Sequence, residues 1–237
     1  MRDPYSPLAT LIDKPRDQPG ERKGAYCIVA HTTGSGAVIK ARKRGIDPTE
    51  YLISYYSAPG NPAPTYLVGV GGEIIQFASE AEVMPHAGWR PWEMAAYLDG
   101  TWRQKWARDY LDDVVAARPN QYSWWDARWH GRRGFISPDD ILAAAGTPAH
   151  LRRPNLCSIG VECEWSEVGV EGEQLCALAE LILDIVRRRR LMLAKPPCPT
   201  LCGHEDVSPC RRVTSTGRPW DPGSHFDWEA LGRALAG

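Results

Sequence analysis

Apolar positions in this chain fall into short clusters with two different spacings, and each spacing predicts its own kind of element. Tyr26 to Ala30 is an unbroken apolar run whose length and β-branched content predict a buried strand that delivers His31 at its end. After Gly34 and Gly36, Ala37 to Arg44 reads as a helix. Asp47-Pro48-Thr49-Glu50 then predicts a second helix through Tyr55, with Asp47 as cap, Pro48 in the first turn and Glu50 three residues after the cap. Thr65 to Val70 and Glu73 to Phe77 are apolar-rich runs joined by Gly71-Gly72, and both turn residues tolerate positive φ, so they form a hairpin.

Further along, Ser158 to Glu164 alternates, which places Ile159, Val161 and Cys163 on one face of a strand and Glu162 with Glu164 on the other. Leu175, Leu178, Ile182, Ile185 and Val186 recur at helical spacing within Glu173 to Arg190, and Arg187 to Arg190 read as a solvated helix end where positive charge suits the dipole. Asp227 caps a last helix carrying Trp228, Leu231 and Leu235. This pattern alone predicts an α/β protein.

Two segments depart from it. Residues 1 to 24 hold Pro4, Pro7, Pro15 and Pro19 among mixed charges and read as an irregular arm laid over the domain. Residues 100 to 155 hold Trp102, Trp106, Trp124, Trp125 and Trp129 around one expected helix, Trp102 to Ala117, and another with Ser137 as cap and Pro138 at its first position. We read this second segment as a helical insertion with its own small core, whose tryptophans could alternatively stack on sugar rings. With no internal repeat, residues 1 to 237 are expected to form a single domain, active as a monomer.

Composition then narrows the classes. Of 237 residues 43% are hydrophobic and 24% charged, enough to bury a core, and the net charge of -1 gives no field favouring nucleic acid or an anionic membrane. No run approaches the roughly 18 apolar residues that span a bilayer. The start, Met1-Arg2-Asp3-Pro4, lacks a secretory pattern, so cytoplasmic synthesis is expected. Seven cysteines, an odd number, fit reduced thiols better than a disulfide scaffold.

Candidate chemistry rests on a combination. A lone histidine at a strand end is more often structural than functional, but His204 follows Gly203 and Asp221 precedes Pro222-Gly223, both in loop-like contexts where side chains can converge on His31. Two imidazoles and a carboxylate suit a four-coordinate zinc with one position open for water. Glu162 can take a proton from that water and return it to a leaving nitrogen, with Glu164 as a competitor on the same face. A rival grouping, Cys198, Cys202, His204 and Cys210, would make a structural zinc site, although the paired Cys-x-x-Cys spacing is missing.

Five stretches in order resemble a known family, the zinc amidases that include phage lysis amidases, the cytoplasmic anhydromuropeptide amidase of wall recycling and animal peptidoglycan recognition proteins. They are the strand ending at His31, the hairpin continuing into Glu73-Ile74-Ile75-Gln76, His86-Ala87-Gly88, Ser158 to Glu162, and Gly203 to Pro209 leading to Asp221-Pro222-Gly223 and Phe226-Asp227-Trp228. The resemblance covers residues 24 to 98 and 156 to 237. It implies a central mixed β-sheet flanked by helices, one catalytic Zn2+ on His31, His204 and Asp221, Glu162 as the catalytic carboxylate, and His86 shaping the substrate cleft.

The implied reaction is hydrolysis of the amide between N-acetylmuramic acid and L-alanine in peptidoglycan or a muropeptide, with a phage endolysin as the expected role. A recycling amidase and a non-catalytic wall-binding protein are the alternatives. Two departures bear on the oxyanion. The lysine that the family usually places two residues before the third ligand is here Pro219, leaving Arg218 as the nearest substitute, or Arg212 if the intervening insertion folds back. The tyrosine of some phage members aligns with Pro64, and Tyr66 nearby is read as structural.

Overall fold

The centre of the fold is a pair of largely buried parallel strands, and the rest of the sheet grows outward from them. The computed structural model describes residues 4–12, 20–87, 138–208, 221–223 and 226–237. In chain order, Thr10–Leu11 (β1), Gly20–Glu21 (β2) and Cys27–Thr32 (β3) are followed by helices Ser35–Lys43 (α1) and Pro48–Ser57 (α2). Strands Tyr66–Val68 (β4), Ile74–Gln76 (β5) and Glu82–Val83 (β6) come next, then helices Pro138–Ala144 (α3) and Pro154–Cys157 (α4). Ser158–Cys163 (β7), Gly172–Arg189 (α5), Leu201–Gly203 (β8), His204–Val207 (α6) and Trp228–Ala236 (α7) complete the described elements.

Six strands form one mixed sheet in the order β1-β5-β4-β7-β3-β8, and β2 pairs with β6 apart from it. The β4–β5 hairpin is antiparallel, while β4, β7, β3 and β8 run parallel to one another. Gly72 takes the turn at φ 86, a conformation that suits a residue without Cβ. Asp47 caps α2 by accepting a hydrogen bond from the Glu50 amide, with Pro48 in the first turn.

Strand alternation divides the core. Ile28, Ala30, Tyr66, Val68, Ile159, Val161 and Cys163 face the apolar stripe of α5 and Leu231 of α7. On the other face lie two separate clusters, one built from Cys27, Val29, Cys202 and Val207, the other from Leu52, Tyr56, Leu67, Ile75 and Phe77. His31, beside the first cluster, pairs in register with Glu162, which pairs in turn with Leu67 of the second. The polar row therefore sits where one apolar cluster gives way to the next, near the carboxyl ends of β3 and β7.

Three expectations change in the folded chain. The arginines at the end of α5 do not all project into water, because Glu80 is fully buried and needs compensating charge. Arg188 Nη2 lies 2.6 Å from Glu80 Oε1 and Arg189 Nε bonds Glu80 Oε2, while Arg187 and Arg190 are the exposed pair. The described end of the insertion does not keep to a core of its own, since Ile141 and Leu142 of α3 pack with Cys27, Val29 and Cys202 against the sheet. The N-terminal arm supplies β1 and β2 and is tied down by Ser6, whose Oγ donates to Asp184 Oδ2 at 2.7 Å. The helix expected over Trp102 to Ala117 and the tryptophans around it lie outside the described residues, as does Ser137. No helix among the described residues is long and apolar enough to cross a membrane.

Candidate metal centre

The residues of the candidate site are placed by the ends of β3, β7 and β8 and by a turn at Asp221. His31 is the fifth residue of β3, and its side chain shares the sheet face of Cys27 and Val29. His204 opens α6 directly after β8, so the strand-to-helix turn throws its ring across to β3. Asp206, three residues into the turn, accepts from the Gly203 amide at 2.7 Å and holds the junction closed. Asp221 is drawn in by three bonds: its Oδ1 accepts from the Thr32 amide at 3.2 Å, its carbonyl accepts from the Glu205 amide at 2.8 Å, and Thr32 Oγ1 donates to Pro222 O at 3.1 Å.

The result is a small triangle of ligand atoms. His31 Nδ1 and His204 Nδ1 are 3.0 Å apart, and Asp221 Oδ2 lies 2.9 Å from His204 Nδ1 and 3.4 Å from His31 Nδ1. A tetrahedral zinc with bonds of roughly 2.0–2.1 Å sets neighbouring ligand atoms about 3.3 Å apart, so the triangle has the size that such an ion requires. All three side chains are buried, and they are the group among the described residues with ligand atoms close enough to share an ion. Burial by itself would raise the Asp221 carboxyl, but the facing His31 and His204 rings overcome it and hold the group well below the usual carboxylate range.

Glu162 stands one strand away from His31, in register and on the same face, and is half-buried. Glu164 takes a different course. The strand ends at Cys163, and beyond it Glu164 Oε2 accepts from Thr49 Oγ1 at 2.5 Å at the start of α2. Burial raises its carboxyl above the ordinary value. Its carboxylate is thus engaged with α2, not aligned beside Glu162.

His86 meets His31 edge-on. His31 Nε2 is 3.0 Å from His86 Nδ1, and the far side of the His86 ring reaches Ser158 O at 3.3 Å. Burial, followed by the neighbouring His31, pushes His86 well below its ordinary value. The sequence marks His86 through the His86-Ala87-Gly88 stretch, but contact with His31 depends on a loop position that no spacing reveals.

The thiol grouping is not assembled among the described residues. Cys198 belongs to the core on the α5 side of the sheet and Cys202 to the cluster on the opposite side, so they cannot share one ion, and Cys210 lies outside the described residues. Every cysteine among the described residues is a free thiol. Tyr66 faces α5, where its hydroxyl donates to Glu80 Oε1 at 2.5 Å, on the opposite side of the sheet from His31. Arg218, Arg212 and Pro219 lie outside the described residues.

Known proteins resemble this chain in fold and in family. A crystal structure of a selenomethionine derivative of AmpD superposes with a TM-score of 0.51 at 18% identity, covering 98% of this chain and 97% of that one. The endolysin N-acetylmuramoyl-L-alanine amidase LysCS from Clostridium intestinale URNW gives 0.47 at 14% identity, covering 98% and 97%. No curated protein matches the chain. At such identities the AmpD likeness is one of fold, a mixed sheet flanked by helices. The model of the family described as N-acetylmuramoyl-L-alanine amidase matches residues 22–224, which is most of the chain and includes His31, His86, Glu162, His204 and Asp221. This chain belongs to the N-acetylmuramoyl-L-alanine amidase family.

Proposed function

We propose that the chain cleaves the amide between N-acetylmuramic acid and L-alanine of peptidoglycan with one zinc ion held by His31 Nδ1, His204 Nδ1 and Asp221 Oδ2. The observation that carries this reading is the 2.9–3.4 Å triangle of buried ligand atoms beside the in-register Glu162. A zinc bound there supplies a water acidified towards neutral pH and an electrophile for the amide carbonyl. Glu162, on the strand next to His31, takes the proton of the attacking water and hands it to the leaving nitrogen, as general base and then general acid. Arg218, three residues before Asp221, supplies positive charge to the developing oxyanion. Asp221 and the two rings contribute a net charge of one negative unit when the rings are neutral, which leaves the site suited to a divalent cation.

The physiological role we assign is that of a phage endolysin acting on intact wall after release from the cell. The long insertion between His86 and Ser158 and the departures at Pro64 and Pro219 support it over a recycling amidase. The test treats purified sacculi and soluble anhydro fragments with wild type, Glu162→Ala and chelator-stripped protein, with products read by mass spectrometry and zinc measured alongside. We expect free stem peptides from sacculi with zinc-loaded wild type only. Activity confined to soluble fragments would reassign the role to recycling, zinc binding with no cleavage would reassign the chain to wall recognition, and a fully active Glu162→Ala would remove Glu162 from the mechanism.

A further inference from the structure

We propose that His86 is a positioning residue which fixes the tautomer of His31, so that the Nδ1 lone pair of His31 is presented to the metal. The inference rests on the reading of His31 as a zinc ligand. It follows from hydrogen-bond direction alone, starting at a group with only one possible role. The carbonyl oxygen of Ser158 can only accept, and it lies 3.3 Å from His86 Nε2. Ser158 Oγ, 3.2 Å from the same nitrogen, gives its own proton to Pro154 O at 2.5 Å and is therefore an acceptor as well.

A His86 ring carrying one proton thus holds it on Nε2, against these two acceptors, and Nδ1 carries the lone pair. That lone pair faces His31 Nε2 at 3.0 Å, so His31 donates from Nε2. His31 Nδ1 is left bare, and it is this atom that faces His204 Nδ1 at 3.0 Å and Asp221 Oδ2 at 3.4 Å. Both ring nitrogens of His86 are engaged inside the protein, so the geometry gives it to the metal site and not to the substrate.

The ring is also held in place mechanically. Asn155 Oδ1 accepts from the His86 and Ala87 amides at 3.0 and 2.7 Å, which ties the loop to α4. The ring itself lies over Gly160, where a Cβ would come within 2.5 Å of His86 Cγ. The junction of α4 and β7 therefore sets the position of the loop, the plane of the ring and the location of its proton. Partners that orient a metal-ligating histidine in this way typically contribute 10–100-fold to metal affinity, by the order of magnitude seen for such contacts.

The test uses the full chain with nitrogen-15-labelled histidine. NMR of metal-free wild type reports the tautomer of His31 without any substitution, and chelator competition gives zinc affinity for wild type, His86→Ala and His86→Asn. We expect the Nε2–H form of His31 in wild type and a mixture of tautomers in His86→Ala. Zinc affinity should fall about 10–100-fold in His86→Ala and recover in part in His86→Asn, whose side-chain oxygen can accept where Nδ1 did. An Nδ1–H form in wild type, or a natively folded His86→Ala with unchanged tautomer and zinc affinity, would overturn the proposal. Should wild type bind no zinc while the tautomer still changes on substitution, the positioning role stands and the zinc reading of the triangle falls.

Discussion

At the residue scale, two glutamates two positions apart have been given different work by the end of one strand. Glu162 is still within β7 and shares the register row of His31, whereas Glu164 lies past Cys163 and bonds Thr49. Because burial raises the Glu164 carboxyl, the folded state holds its proton more tightly than the unfolded chain does. Stability from this group is therefore full below the ordinary carboxylate value and falls as pH rises through the raised one. Glu164→Gln should flatten that part of the profile, read as melting temperature between about pH 4 and about pH 7, and should keep most of the amidase activity. An inactive but folded Glu164→Gln would exchange the two roles. Gly203 makes a second residue-scale case, since a Cβ there would lie 2.6 Å from Pro222 Cδ, next to Asp221. Gly203→Ala should fold but lose about tenfold or more in zinc affinity, in line with other disturbances of ligand support, as chelator competition would report. The grouping of His31, His204 and Asp221 is legible in the sequence, and so is the candidate Glu162, because each falls at a strand end or in a loop beside glycine or proline. The His86 to His31 contact is not, because it depends on which way a loop folds over Gly160.

At the scale of elements, α5 is the instructive case. Its apolar stripe is plain from spacing, and Leu178, Leu181, Ile182 and Ile185 bury it against β3, β4 and β7. Its arginine end is not plain, because the partner is a single carboxylate, Glu80, in a stretch between β5 and β6 with no periodic signal. Glu80 is 1% exposed, with Arg188, Arg189 and the Tyr66 hydroxyl around it, and Arg188 also pairs with Asp184, which receives the Ser6 hydroxyl. This network fastens the N-terminal arm and the loop before β6 to the helix. Removing one partner of a buried ion pair leaves the others desolvated without compensation, a cost of about 3–5 kcal/mol. Glu80→Ala should lower the unfolding free energy read from denaturant titration by an amount of that order, while zinc affinity stays within about twofold below the new transition, which by the affinity arithmetic corresponds to under about half a kcal/mol. The network lies across the sheet from the metal site, so loss of zinc without loss of stability would contradict this separation.

At the scale of the whole molecule, the site is a closure between distant parts of the chain. His31 is 173 positions from His204 and 190 from Asp221, and the three reach one another only after β3, β8 and the turn at Asp221 are all in place. The triangle is held by the protein's own bonds, through Thr32, Glu205 and Asp206. Zinc should then act as a ligand of the folded state. It should raise the melting temperature without changing the far-ultraviolet spectrum, and at one hundred times its dissociation constant the gain is about 2.7 kcal/mol. The same experiment separates the proposed ligands from the proposed catalytic carboxylate. Asp221→Ala removes one corner of the triangle and should abolish the zinc-dependent shift, whereas Glu162→Ala leaves all three corners and should shift as wild type does while releasing no stem peptide. A zinc-dependent shift that Glu162→Ala loses would make Glu162 a ligand and leave the proton transfer to another group. A shift that Asp221→Ala keeps in full would take the carboxylate out of the coordination sphere, and with it the charge balance that suits this site to a divalent ion.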